Sequence, residues 1–235
     1  MDKIAIIGIA QTSFSSNKID QTYADMAYEV TTKALQDAHL SIADIGNIVT
    51  TSNDFWDGRT ISSMAVGDSA GAAFGEGKNI STVEGDGTLG AFYGLARILS
   101  GSYESTLVLA HSKFSEGNNH LITNAFFDPI YERSIGMDWL SAAALQAQAS
   151  QLKHKIHPRQ SAMVAVKNRG NALNNPNAHL QEELTVEDVL RSLLLAPPIH
   201  ESEIAPLSDG AAAIILASES FAKKAEAYGI EGVLV

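Results

Sequence analysis

The chain has 235 residues with 27 acidic against 16 basic side chains, a formal net charge of −11, and a composition that is 45% hydrophobic and 18% charged. This balance describes a folded globular protein, and it argues against nucleic acid as a partner because neutralising phosphates needs an excess of Lys and Arg. Cysteine is absent, which removes disulfides, thiolate metal sites and a cysteine nucleophile together.

The apolar run Ile4–Ala10 near the N-terminus is too short for the core of a signal peptide and reads as a buried first strand. No run approaches the roughly 18 apolar residues of a membrane-spanning helix. The expectation is a cytoplasmic protein with neither membrane nor nucleic acid as partner.

In chain order, Lys3–Ile9 is nearly continuously apolar, as a strand covered on both faces should be. Thr22–His39 places Tyr23, Met26, Ala27, Val30, Ala34 and Ala38 at helical spacing. Asn47–Ser52 reads as a second strand, and the small-residue stretch Ile61–Phe74 as a closely packed helix. Asn79–Glu84 is strand-like, Gly87–Ser100 helical and Ser105–Ser112 the next strand. Strands alternating with helices predict an α/β layered domain.

From Lys113 to Met137 the rhythm breaks, with Gly117, Asn118, Asn119, Asn124 and Pro129 predicting a long excursion loop. Helices are expected over Ser141–Lys155 and over Pro158–Ala172, where Pro158 suits a first turn. Thr185 and Asp188 fit a capping box, and Pro197, Pro198 and Pro206 mark an irregular crossing. Gly210–Ala217 then reads as an apolar strand, Glu219–Tyr228 as a helix and Gly232–Val235 as a strand at the end of the chain, leaving little room for a second domain.

The junction between the third strand and its helix, Gly85-Asp86-Gly87, is an elbow without a nucleophile. A helix start there offers unpaired backbone N–H groups and a positive dipole end. Gly85 and Gly87 would let a bulky thioester approach the backbone, and an oxyanion or enolate could be held there without a covalent bond. Asp86 is either a base, if burial raises its pKa, or with Thr88 a cap for the helix. His111 ends the strand expected beside the elbow and is either an acid–base group or a hydrogen-bonded structural histidine. Asn118 and His120 make the following loop polar. Asp54, Asp57 and Arg59 flank Phe55 and Trp56 in a segment that touches substrate or packs on a partner. Asp54, Asp57 and His111 lack metal-ligand spacing, so no metal is expected. The glycines at 85, 87 and 90 match a dinucleotide fingerprint in spacing, but no acidic residue ends the following strand, which fails that reading.

Four stretches, "IAIIGIAQTSF", "VEGDGTLGA", "VAVKNRGNALNNPNAHLQEELTVEDVL" and "SDGAAAIILASESFAKK", resemble the N-terminal half of thiolase-superfamily proteins of the sterol-carrier or lipid-transfer type. The resemblance implies a mixed five-stranded sheet with helices on both faces, one half of a layered αβαβα assembly. It implies a single N-terminal domain over residues 1–235 with an excursion at about 113–205. It also implies acyl-CoA chemistry, with a coenzyme A thioester as substrate and no covalently bound cofactor.

The family's nucleophilic Cys falls on Gly87, and its C-terminal acid–base residues have no counterpart. Ordinary cysteine thiolysis by this polypeptide alone is therefore excluded. What remains is a subunit of a thiolase-like enzyme that makes or breaks a carbon–carbon bond beside a CoA thioester. Its expected site is Asp86 and His111 as catalytic groups, with Gly85, Gly87, Thr88, Asn118 and His120 against the substrate. A second thiolase-like chain would supply the C-terminal half or the Cys, and a small zinc-ribbon/OB-fold protein that holds acyl-CoA is a further expected partner. A cysteine-independent retro-aldolase subunit and a non-catalytic acyl-CoA-binding subunit are the alternatives.

Overall fold

The computed structural model describes residues 3–73, 78–226 and 233–234. The elements, in chain order, begin with β1 (Ile4–Gln11), α1 (Tyr23–Asp37), β2 (Asn47–Ser52), α2 (Asp54–Asp57), α3 (Ser62–Val66), β3 (Asn79–Glu84), α4 (Gly87–Leu99) and β4 (Ser105–Lys113). They continue with α5 (Asn119–Asn124), α6 (Trp139–His154), α7 (Pro158–Ala172), α8 (Val186–Arg191), β5 (Leu194–Ala196) and β6 (Ile199–His200). The last are β7 (Asp209–Ser218), α9 (Glu219–Glu226) and β8 (Val233–Leu234). Two compact units result, one of Met1–Ser115 with Ser208–Val235 and one of Glu116–Leu207.

The first unit is built on a mixed sheet in the order β3-β2-β4-β7-β1-β8. β2 runs parallel to β3 and β4, while β7 is antiparallel to both β4 and β1. Five strands form the body expected from the sequence, and the two-residue β8 extends the edge beside β1. Helices cover both faces.

On one face, Met26, Ala27, Val30 and Ala34 of α1, with its C-cap Ala38, lie against Leu107, Leu109, Ala211, Ala213 and Ile215. Its start is fixed by a capping box: the Asp25 N–H donates to Thr22 Oγ1 at 3.1 Å and the Thr22 N–H to the Asp25 carboxylate at 2.8 Å. On the other face, Ile98 of α4 packs with Ile4, Val49, Val108 and Leu216. Each large aliphatic side chain taken from water in these two layers contributes about 2 kcal/mol.

The second unit holds α5 to α8 and the β5–β6 hairpin. Asp138 caps α6 by accepting from the Ser141 N–H at 2.8 Å, and Thr185 with Asp188 forms the capping box that opens α8. α7 begins with Pro158 in its first turn and packs on α8, where Ala162 and Val189 are buried.

Three local features differ from the sequence reading. The helix expected over Ile61–Phe74 is only Ser62–Val66, followed by turns through Gly67 and a left-handed Gly71; small residues favour close packing but do not hold a helix across two glycines. The excursion after β4 contains α5, whose cap Asn118 accepts from the Leu121 N–H at 3.2 Å. The proline-rich crossing holds the short hairpin β5–β6. The segment after β2 forms the short α2, ending on Gly58 at φ 71°. Phe74 and Tyr228, where two expected helices were to end, and Gly232 and Val235, the bounds of the last expected strand, lie outside the described residues.

Candidate functional site

The elbow is set by three short-range constraints. Gly85 leaves β3 at φ +143°, a backbone region that side chains resist, and its N–H donates to the Ser52 carbonyl at 2.9 Å. Asp86 is the N-cap of α4, its Oδ1 accepting from the Leu89 N–H at 3.0 Å. The hydroxyl of Thr51 donates toward the carbonyl oxygens of Gly85 and Asp86, at 3.4 and 3.2 Å. Helix α4 then comes down on the sheet through glycine: a Cβ at Gly90 would lie 2.6 Å from Thr51 Cγ2, and one at Gly94 2.8 Å from Val108 Cγ2.

At the start of α4, the N–H groups of Gly87 and Thr88 make no hydrogen bond among the described residues. They are the orphan donors that begin a helix, carrying the positive end of its dipole. A cavity of about 330 Å³ opens here, lined by Gly85, Asp86, Gly87, Thr51, Ala110 and His111 among others, with Phe14 and Phe114 as aromatic walls. Gly87 has no room to spare, since an added Cβ would sit 3.2 Å from Ala110 Cβ. Thr88 is exposed and outside this lining.

His111 lies near the end of β4. Its strand end adjoins the elbow, and the residue lines the cavity, but the imidazole belongs to the opposite face of the sheet. His111 lies opposite Ala211 on β7, and Ala211 with Leu107 and Leu109 forms the core under α1. Ala110, one residue away, faces Gly87. Side chains alternate along a strand, so the ring stands on the α1 side, where it stacks on Tyr23 at 5.9 Å between centroids.

There it is 4% exposed. Burial pushes its pKa down to about 4, with Arg59 adding to the shift and Asp54 opposing it. At neutral pH the ring is uncharged. Nε2 lies 3.5 Å from Ser62 Oγ, and Nδ1 has no partner among the described residues.

Around this ring the segment from Asn53 to Ser62 is pinned by buried carboxylates. Asp54 accepts from the Ser52 hydroxyl at 2.6 Å, from the Ser62 N–H at 2.6 Å and from the Ser62 hydroxyl. Burial alone would raise its pKa, but these bonds outweigh it and hold the carboxyl below its ordinary value. Asp57 accepts from the Ser112 hydroxyl at 2.7 Å and the Lys113 N–H at 3.1 Å, yet burial dominates and pushes its carboxyl up. Asp209, at the start of the "SDGAAA" stretch, accepts from the Ser115 hydroxyl and N–H and from the Lys18 N–H. These three aspartates tie loops to strand ends. Among the described residues no group of His, Asp and Glu side chains is arranged to hold a metal ion.

The elbow cavity thus brings together Gly85, Asp86, Gly87 and His111. Asp86 is exposed at the cavity lining. Asn118 and His120 lie in the second unit: Asn118 is an exposed helix cap, and His120 Nδ1 donates to Asp138 Oδ2 at 2.5 Å. Sequence reasoning passed over Asn119, whose side chain is buried while its neighbours face outward. The run Asn118-Asn119-His120 gives three polar residues in a row and no period that would single out the inward one.

The fold defines a class first. The chain superposes on the human mitochondrial 3-ketoacyl-CoA thiolase solved in complex with CoA with a TM-score of 0.72 at 16% identity, covering 98% of this chain and 67% of that one. It superposes on the Ltp2-ChsH2(DUF35) aldolase with a TM-score of 0.74 at 24% identity, covering 94% of this chain and 57% of that one. In sequence it is 29% identical over 231 residues to an acetyl-CoA acetyltransferase of Methanothermobacter thermautotrophicus, covering 95% of this chain and 59% of that protein. It is 28% identical over 253 residues to sterol carrier protein 2 of Oryctolagus cuniculus, covering 100% of this chain and 44% of that protein. No family model matches. The chain has the fold of the thiolases and is similar in sequence to an acetyl-CoA acetyltransferase and to sterol carrier protein 2, and it spans about half the length of the curated relatives it matches.

Proposed function

We propose that this chain is a subunit of a thiolase-like enzyme that makes or breaks a carbon–carbon bond beside a CoA thioester without a cysteine nucleophile. One observation carries the reading: the unpaired N–H groups of Gly87 and Thr88 begin a 13-residue helix at the mouth of a cavity in which the elbow presents glycine where a nucleophile would stand. Donors fixed in that way stabilise negative charge developing on a carbonyl oxygen, and removing one such donor in other enzymes costs on the order of 100-fold or more in rate.

In the cleavage direction, a base takes the proton from a β-hydroxyl of a hydroxyacyl thioester. The Cα–Cβ bond breaks, its electron pair forms a thioester enolate, and a carbonyl compound leaves. The enolate oxygen rests on the Gly87 and Thr88 N–H groups until Cα is protonated. The carboxyl of Asp86 is the proton acceptor in this scheme, its second oxygen being clear of the cap. His111 is then a positioning residue, holding Ser62 and the segment that carries Asn53 to the cavity rim.

A partner chain completes the site. Support comes from the exposed apolar side chains Leu89, Phe92 and Leu99 of α4 and Ile80 of the edge strand β3. The name Ltp2-ChsH2(DUF35) aldolase also pairs two components. A second thiolase-like chain and a small acyl-CoA-holding zinc-ribbon/OB-fold protein are the partners proposed.

A non-catalytic acyl-CoA-binding subunit is the second reading, favoured by the imidazole of His111 lying across the sheet from the elbow. Purifying the native protein with whatever accompanies it and supplying a 3-hydroxyacyl-CoA separates the two. The enzyme reading expects release of a carbonyl compound with the shortened acyl-CoA, and a loss of about 100-fold or more in Asp86→Asn, in which Asn keeps the cap. Thioester binding with no turnover in any assembly establishes the second reading instead.

A further inference from the structure

In the second unit a cavity of about 420 Å³ is walled by apolar side chains including Leu140, Leu195, Ile204 and Leu207, with Trp139 and His120 on its lining. Asn119 also lines it and is 9% exposed. Both ends of the Asn119 carboxamide, the Nδ2 donor and the Oδ1 acceptor, have no partner among the described residues. Its backbone is committed, the carbonyl accepting from Thr123 Oγ1 at 2.8 Å. Buried polar side chains are ordinarily paired, and a carboxamide unpaired at both ends is a costly arrangement that a ligand can relieve.

The neighbouring histidine is oriented. Asp138 accepts from the Ser141 N–H at 2.8 Å and hydroxyl at 2.7 Å through Oδ1, and from His120 Nδ1 at 2.5 Å through Oδ2. Burial works against the carboxylate, but these bonds hold the Asp138 pKa below its ordinary value. With Nδ1 committed to Asp138, Nε2 is the ring nitrogen of His120 left for a ligand.

We propose that this cavity binds a ligand whose carbonyl and N–H lie on the same edge of a planar amide, that is, a primary carboxamide or a lactam. The carboxamide of Asn119 presents donor and acceptor side by side, as when it reads an adenine edge, so its complement must do the same. A trans secondary amide points its carbonyl and N–H to opposite sides and satisfies only one end. An ester or a carboxylate offers acceptors alone and leaves Oδ1 unpaired. The proposal rests on the second unit alone and does not depend on the reading of the elbow.

The test titrates the intact protein with hexanamide, ε-caprolactam, N-methylhexanamide and methyl hexanoate, following the Asn119 side-chain NH₂ resonance by NMR and affinity by calorimetry. Hexanamide or caprolactam is expected to bind at least about tenfold more tightly than N-methylhexanamide, the loss of one buried hydrogen bond. Whichever of the two binds more tightly identifies a chain-borne or a ring amide as the class. In Asn119→Leu, which keeps the volume, the preference should vanish while the ester still binds as before. Equal binding of all four probes overturns the proposal, as does a preference that survives in Asn119→Leu. Should that variant fail to fold, the resonance in the unaltered protein decides: an Asn119 NH₂ signal that hexanamide at saturation does not move overturns it too.

Discussion

The two faces of the central sheet are closed by opposite means. Under α1 the space is filled by side chains, with Met26 and Val30 fully buried against Leu107, Leu109 and Ile215. Under α4 it is closed by leaving side chains out, Gly90 and Gly94 bringing the helix backbone onto Thr51 and Val108. The first face can bury a neutral histidine as part of its packing. The second keeps its helix close enough that the N-terminus, with its unpaired N–H groups, sits at the strand ends. One sheet therefore has a packing face and a backbone-presenting face, and the candidate chemistry belongs to the second.

The comparison predicts that atoms should be missed on one face and unwelcome on the other. Met26→Ala removes a fully buried side chain under α1 and should cost about 4 kcal/mol by denaturant titration. Gly90→Ala adds a methyl group within 2.6 Å of Thr51 and should cost about 2 kcal/mol, although Ala is the better helix former by about 1 kcal/mol. A stabilised Gly90→Ala protein would show that α4 does not depend on close approach.

The buried histidine gives the packing face a pH signature. Because the folded-state pKa of His111 is about 4 against an ordinary 6.5, the unfolded chain binds a proton in that interval that the folded chain refuses. Stability from this residue is complete above pH 6.5 and falls as pH drops toward 4, by about 3 kcal/mol in all. His111→Phe keeps the ring against Tyr23 and removes the titration, so the difference between the two proteins' stabilities should change by that amount across the interval. Parallel stability curves would place the imidazole in water. Asp54, held low by its hydrogen bonds, acts in the same direction at lower pH, supporting the fold above its ordinary value and losing that support in stronger acid.

That His111 faces α1 was hidden in the sequence for a physical reason. Before His111, β4 reads Leu107-Val108-Leu109-Ala110, apolar at every position because both faces are covered, so no alternation of polar and apolar residues marks which side each residue takes. The strand's existence was legible for the same reason that its orientation was not. The main strands and α1 could be read from apolar runs and helical spacing, and the elbow from the glycines around Asp86. The six-residue α5 could not, since a helix so short is carried by its Asn118 cap and by tertiary contacts rather than by a period. Nor could the unpaired carboxamide of Asn119, since satisfaction of a polar group is a property of its surroundings and leaves no trace in its own chain neighbours.

The smallest effect separates the two roles of Asp86 on the backbone-presenting face. As a cap it accepts from the Leu89 N–H, and Asp86→Ala should cost about 1 kcal/mol, while Asp86→Asn, an equally good cap, should cost almost nothing. Turnover divides the pair differently. If Asp86 takes a proton, both variants lose activity alike, because Asn cannot accept one at neutral pH. If it serves only to start α4, Asn restores activity and Ala lowers it in step with stability. Measuring denaturation midpoint and rate on the same two proteins therefore distinguishes a helix that merely begins at the elbow from one whose first residues do the chemistry.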